Sequence, residues 1–354
     1  MIKYRLLHII DSVERGGAET LLVNTIETIK KKYPNCEQYL VTLYRGGTLL
    51  PKVAPFVKYY NLGLNKYNII TVYFKLRRLL KNLQVDVVHS HLLHSTLISR
   101  IALPKKTRLV STYHSVFYDP SLVDYAKKEL IFDKLTYKPK YFSIFVSDAV
   151  QNNIRKAVGI NNNYKTLVNF ASPAFCPKYK FKQESCLKVI MVGNLNPVKN
   201  HKIAIQALHS LVDKPISIDI YGEGILRIEL ENLINQTGSK VVLKGGQAMS
   251  SELLAQYDLF LMTSHHEGMP ISLLEAMQTG LPALLNDLPM LRETAGDSAL
   301  YYKYDDLDDL INNLVNIQEG KLILNRLSEN ALTRAKTYSA ESYLNQLFKI
   351  YYKS

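Results

Sequence analysis

Along this chain short apolar runs alternate with stretches of helical period, and they do so twice. RLLHII, AETLLVNTIETIKKK, QYLVTL, NIITVYFKLRRLLKNL, VDVVHSH, RLVSTYH, YFSIFVS and DAVQNNIRKAV follow one another in the first half. Strand, helix, strand in that rhythm means βαβ units, a parallel sheet buried between helices on both faces. The rhythm stops in NFASPAFCPKYKFKQESC, which has two prolines and no helical period. It restarts at LKVIMVGNL and runs through HKIAIQALHSLV, SIDIYGEG, LRIELENLINQTG, KVVLKGG, SELLAQYD, LFLMTS and LPALLND. At 354 residues the chain is longer than one core usually supports. We therefore expect an α/β chain of two Rossmann-like domains, 1–170 and 188–338, joined by a linker at 171–187. In SAESYLNQLFKIYYKS the apolar residues at 343, 344, 347, 348, 351 and 352 predict an amphipathic helix, 339–354, that packs back on the first domain. Two such parallel sheets facing each other would set a cleft at the carboxyl ends of their strands, where ligands of these folds bind.

Charge separates the halves further. Residues 1–180 carry 28 Lys and Arg against 11 Asp and Glu, whereas 181–354 carry 16 against 20, so the net charge of +13 belongs to the first half. A basic surface can mean nucleic acid, but the chain has no zinc-finger spacing, no aromatic RNA-binding motif and no Lys/Arg block longer than Lys30-Lys31-Lys32. No nucleic-acid partner is expected. No apolar run approaches the roughly 20 residues that span a bilayer. The chain opens on strand-like KYRLLHII rather than a signal peptide, and Cys36, Cys176 and Cys186 lack metal-ligand spacing. The expected home is cytoplasmic, with any membrane contact at the surface.

The segment SHHEGMPISLLEAMQTG carries the chemistry. Pro270 fits the first turn of a helix and Gly280 its stop, which places the helix over 271–279 and Glu267 in the loop before it. Glu267, the turn Gly268, Met269, Pro270 and the free N–H groups of the helix start then face one space, where a polyhydroxyl ring or a phosphate can be held. Glu275, one turn deeper, can accept two parallel hydrogen bonds from a vicinal diol such as a ribose; the alternative is a glutamate on a solvent-facing stripe. In LKVIMVGNLNPVKNH a strand ends at Gly193, where backbone can approach a ligand closely, and Lys199 follows at a distance suited to a diphosphate, though alone it reads as a surface lysine. YGEG, Tyr221 to Gly224, is half of a dinucleotide fingerprint, with Arg227 where the third glycine belongs.

In this order, with GGAE at 16–19, DVVHSH at 86–91, TYHS at 112–115 and FVSDAV at 145–150, the chain resembles the retaining glycosyltransferases of the GT-B fold known as family 4. The resemblance spans nearly the whole chain, and its E-x7-E block is the specific part. It implies that Glu275 binds the donor ribose, that Glu267 with Gly268, Met269 and Pro270 holds the donor sugar, and that Lys199 binds the diphosphate. Gly193, Asn194, Gly222 and Glu223 complete the donor side; Gly16 and Gly17, after a strand and at a helix start, can bring backbone close to the phosphate or the acceptor, or are simply the glycines that any βα turn favours. His114, at the end of RLVSTYH, resembles the family histidine that contacts donor sugar and phosphate, so His114, Glu267 and Lys199 are the expected catalytic set. Asn194 stands where the family usually has an arginine, which leaves Lys199 as the main cation for the leaving phosphate.

On the acceptor side stand His91 and Glu19. His89 and His91 alternate on VVHSH, and no carboxylate completes a metal set with them; no metal or other cofactor is expected, the nucleoside diphosphate sugar, UDP- or GDP-linked, being a substrate. The resemblance implies transfer to a hydroxyl of a glycan or lipid-linked glycan in cell-surface polysaccharide or lipopolysaccharide synthesis. Two rivals remain open: a nucleotide-sugar 2-epimerase of the same fold, and a non-catalytic sugar-nucleotide binder. The cations of YNIITVYFKLRRLLKNL, 67–83, point to peripheral binding at an anionic membrane. An ordinary crossover helix would bury the apolar residues of that segment and leave only its cations free.

Overall fold

The computed structural model describes residues 4–118, 127–180, 186–320 and 324–352. Residues 181–185 of the expected linker and 353–354 of the expected terminal helix lie outside the described residues. The chain forms two compact units, Met1–Asn169 with Ala340–Ser354, and Phe170–Ser339.

In the first unit the strands β1 (Arg5–Ile10), β2 (Glu37–Thr42), β3 (Lys58–Asn61), β4 (Val87–His91), β5 (Arg108–Tyr113), β6 (Phe142–Phe145) and β7 (Tyr164–Thr166) pair in the order β3-β2-β1-β4-β5-β6-β7. Every pairing is parallel. β4 is buried along its whole length, which is why VVHSH shows no inside-outside alternation: helices cover both faces of a parallel sheet. The helix Ala340–Tyr352 belongs to this unit and buries Tyr343, Leu344, Leu347, Ile350 and Tyr351.

In the second unit β8 (Leu187–Val192), β9 (Ile216–Tyr221), β10 (Val241–Gly245), β11 (Leu259–Met262), β12 (Ala283–Asn286) and β13 (Leu300–Tyr302) pair in the order β10-β9-β8-β11-β12-β13, again all parallel. The core gathers Val189, Ile205, Ile218, Leu259, Leu284 and Leu314. Residues 171–180 do not hang free: Cys176 N donates to Ser251 Oγ at 2.9 Å, and Lys178 N and Tyr179 N both donate to Thr279 O, at 3.1 and 3.0 Å.

Strand order reverses direction between β1 and β4 in one unit and between β8 and β11 in the other. At such a point the two flanking loops diverge to opposite faces and open a crevice beyond the strand ends. Several candidate residues lie just past the strand ends that flank these points: Gly16 and Gly17 after β1, Gly193 and Asn194 after β8, and Glu267 after β11.

The helix Ile69–Leu83 departs from the expectation for its apolar residues. It buries Val72, Leu76 and Leu80 against the sheet, while Ile69, Ile70 and Phe74 stay exposed, with Tyr67 just before them. The segment carries more apolar residues than one helix face can bury, so the surplus of its first two turns faces outward beside Lys75, Arg78 and Lys81, which are exposed as well.

Candidate active site

The crevice of the second unit is built by two loops stitched together. After β8 the chain turns through Gly193 and Asn194 into the short turn Pro197–Lys199, capped by Asn196, whose Oδ1 accepts from Lys199 N at 3.2 Å. Asn200 then takes the left-handed conformation, φ 46°, which an asparagine tolerates better than most residues. After β11, Thr263 Oγ1 donates to the carbonyls of Lys199 and Asn200 at 2.8 and 3.0 Å, and His265 N donates to Val198 O at 2.8 Å.

These bonds bring the two key side chains together across 68 positions of sequence: Lys199 Nζ donates to Glu267 Oε1 at 2.5 Å, and Ser264 Oγ donates to the same oxygen at 2.7 Å. The Lys199 and Glu267 side chains are 21% and 9% exposed, so the pair is half sheltered yet open to a ligand. An ammonium has three hydrogens, and a bound phosphate can take one of those left over while Glu267 stays paired. The aliphatic stem of Lys199 lies over Gly193, where a Cβ would come within 3.3 Å of it.

The helix Ile271–Thr279 starts four residues after Glu267 and is buried nearly all round. Glu275 is 8% exposed, so it does not lie on a solvent-facing stripe, and its sequence neighbours Leu273, Leu274, Ala276 and Met277 are buried as well. Gly268, Met269 and Pro270 are buried at the helix start. Pro270 precedes the helix as its N-cap instead of opening its first turn, and Gly280, φ 84°, ends it in the left-handed conformation that favours glycine.

The YGEG turn divides by role. A Cβ on Gly222 would lie 1.9 Å from the Gly193 carbonyl oxygen, so its bareness lets the two strand ends meet. Glu223 is exposed and accepts from Arg227 at 2.9 Å. Asn194 is exposed beside them. Sequence reasoning missed His201, Thr263 and Ser264, which line a small recess with Lys199. Burial pushes the His201 imidazole down to about 4, so it is neutral near pH 7. Its only signal was its place two residues after Lys199.

In the first unit Gly16 caps the helix Gly17–Lys32 with extended backbone. Glu19 folds back over it: a Cβ on Gly16 would meet the Glu19 carboxylate at 2.3 Å, whereas Gly17 borders open space. Burial, with smaller contributions from Asp11 and Glu14, pushes the Glu19 carboxyl up to about 7. His114 follows β5, buried but for 8% of its surface, and burial pushes it down to about 3. His91, expected on the acceptor side, is only 1% exposed; it reaches His114, with Nδ1 3.3 Å from His114 Nε2, and not solvent. His89 is fixed from both sides, Nδ1 to the Tyr351 hydroxyl at 2.6 Å and Nε2 to the Thr112 hydroxyl at 2.7 Å. His8, His89 and His91 bring ring nitrogens within 4.8 Å of one another.

Two family profiles match this chain, Glycosyltransferase Family 4 over residues 15–170 and Glycosyl transferases group 1 over residues 177–334. The chain is 27% identical over 288 residues, 72% of each chain, to the UDP-Gal:alpha-D-GlcNAc-diphosphoundecaprenol alpha-1,3-galactosyltransferase of Escherichia coli. It is 22% identical over 315 residues, 82% of each, to the N,N'-diacetylbacillosaminyl-diphospho-undecaprenol alpha-1,3-N-acetylgalactosaminyltransferase of Campylobacter jejuni. Among solved structures, HepE of Anabaena in complex with UDP and glucose superposes with a TM-score of 0.82 at 18% identity, over 97% of this chain and 98% of that one. The chain belongs to the GT-B glycosyltransferases of the group 1 and family 4 type.

Proposed function

We propose that this glycosyltransferase moves a sugar from a nucleoside diphosphate donor to a hydroxyl of a lipid-linked glycan, with retention of configuration and without a metal ion. The observation that carries the reading is the second-unit crevice: a buried Glu275, and a Lys199–Glu267 pair held at 2.5 Å beside the start of the helix. Glu275 accepts the two ribose hydroxyls, Glu267 accepts from the sugar hydroxyls, and Lys199 meets the diphosphate. The diphosphate leaves from one face of the sugar as the acceptor hydroxyl enters on the same face, and a leaving phosphate oxygen takes the acceptor proton. The protein then contributes position and charge stabilisation, not a nucleophile. The relatives' names support a uridine donor over a guanosine one and a diphosphoundecaprenol-linked acceptor.

The donor assignment is tested by thermal shift against nucleoside diphosphates and their sugars, since a ligand at about 100 times its Kd adds about 2.7 kcal/mol to the native state. UDP raises Tm in the wild type, and Glu275→Ala abolishes most of that rise while its ligand-free protein stays folded. A Glu275→Ala protein that responds to UDP like the wild type would remove the ribose from Glu275.

The acceptor side of the reading extends to the membrane. Among the described residues no helix is long and apolar enough to cross one. Ile70 and Phe74, 71% and 62% exposed, stand one turn apart on the helix beside Lys75, Arg78 and Lys81, with Tyr67, 84% exposed, just before it, the composition of a surface that enters a headgroup layer with its cations on anionic lipid. Each cation near such a leaflet adds about 1 kcal/mol. The protein should sediment with anionic but not neutral liposomes, less so at high salt, and Ile70→Ser with Phe74→Ser should weaken binding at every salt concentration. Indifference to both liposome types would detach the acceptor from the membrane.

A further inference from the structure

On β4, side chains two apart share a face of the sheet, so His89 and His91 stand side by side with ring centroids 4.1 Å apart. His89 is clamped by hydroxyls from two different elements, Tyr351 on the terminal helix and Thr112 on β5, and it forms the floor against which the His91 ring rests. Directly after His91, Leu92 takes φ 68° and ψ 168°, a conformation in which residues other than glycine are strained and which persists only where the surroundings dictate it. The surroundings do so here. Ser95 donates from N and Oγ to Asp11 Oδ1 at 3.0 and 2.6 Å, and Thr96 Oγ1 donates to Leu92 O at 2.8 Å. The backbone is thus bent against its preference at the point that aims His91.

His91 Nδ1 lies 3.3 Å from His114 Nε2. Both rings are neutral near pH 7, because burial lowers each of them. One hydrogen therefore sits between the two nitrogens, and one ring's tautomer dictates the other's. The remaining nitrogen of His91, Nε2, is buried with no protein group in hydrogen-bond reach. If His114 donated, His91 would carry its hydrogen on Nε2 and bury an N–H without a partner. If His91 donates, Nε2 keeps only an unused lone pair, and orphaned acceptors are more common in proteins than orphaned N–H groups.

We infer that His91 is a positioning residue: it donates from Nδ1 to His114 Nε2 and so fixes His114 in the Nδ1–H tautomer, with that N–H held ready for an oxygen of the nucleotide-sugar donor. The inference rests on the proposed transfer from a nucleotide sugar and on the donor contact that the resemblance to family 4 implies for His114. It assigns a use to the VVHSH motif that solvent or acceptor contact cannot supply, since His91 is buried.

Ring-nitrogen NMR of the intact protein reads the tautomer directly, and we expect His114 as Nδ1–H. In His91→Phe, which keeps a stacked ring but no donor, that preference should vanish. kcat should fall about tenfold or more, as when a histidine loses the partner that holds its tautomer, with UDP affinity and Tm unchanged. His91→Asn, whose amide can donate, should recover part of the rate, and His91→Phe should add little to His114→Ala. An Nε2–H tautomer at His114 in the wild type overturns the inference, even if His91→Phe fails to fold. So does wild-type kcat in His91→Phe while His114→Ala is impaired. Full transfer by His114→Ala would instead overturn the reading of His114 on which the inference stands.

Discussion

Lys199→Ala lowers kcat by about 10², with a much smaller change in donor KM. The donor diphosphate already carries negative charge when bound, but the oxygen bridging it to the sugar gains more as the glycosidic bond breaks. A cation beside that oxygen therefore stabilises the transition state more than the bound donor, and its loss appears in kcat. Lys199 is held firmly in its crevice: Thr263 and Asn196 fix its backbone, Gly193 lies under its stem, and Glu267 holds its ammonium at 2.5 Å. Asn194 supplies no second charge at the crevice. Steady-state kinetics with saturating acceptor measure the effect, and turnover at the wild-type rate would remove Lys199 from the phosphate.

His114→Ala should cost a comparable factor, about 10² in kcat, with the fold and UDP affinity retained. Burial at about 3 keeps the ring neutral from pH 5 to 8, so it neither gives up nor takes a proton in that range. On the proposed reading it contributes a fixed N–H to the bound nucleotide sugar, and removing one such preorganised donor typically costs this much. The pH-rate profile should accordingly show no step near the ordinary histidine value of about 6.5 that disappears in His114→Ala. A merely structural histidine predicts the opposite pattern, a fall in Tm with unchanged activity per folded molecule.

The two sheets were legible because buried parallel strands leave continuous apolar runs, such as LFLM and VIMV, between stretches of helical period. The second-unit crevice was legible in part: Glu267, Glu275 and Lys199 could be placed because the loop before the 271–279 helix and the turn after the glycine are local. That Lys199 and Glu267 touch was not readable, since it depends on β8 and β11 becoming neighbours and on Thr263 and His265 joining their loops. His91 was misplaced for a similar reason. Its position at a strand end says that it is near an edge, but only the fold packs it between His89 and His114 and brings Tyr351, from residues 340–352, against His89. The helix at 69–83 shows a different limit. Periodicity finds its apolar residues, yet the sheet buries only Val72, Leu76 and Leu80, and which others remain outside is decided by packing.

The central claim, retaining transfer from a nucleoside diphosphate sugar to a lipid-linked sugar, is tested most directly by the anomeric configuration of the product. The protein is incubated with an α-linked UDP-sugar and a diphosphoundecaprenol-linked sugar, and the new linkage is read by proton NMR. The account predicts an α-linkage formed at the expense of the donor. A β-linkage would contradict retention, and a 2-epimerised nucleotide sugar with no new linkage would contradict transfer itself.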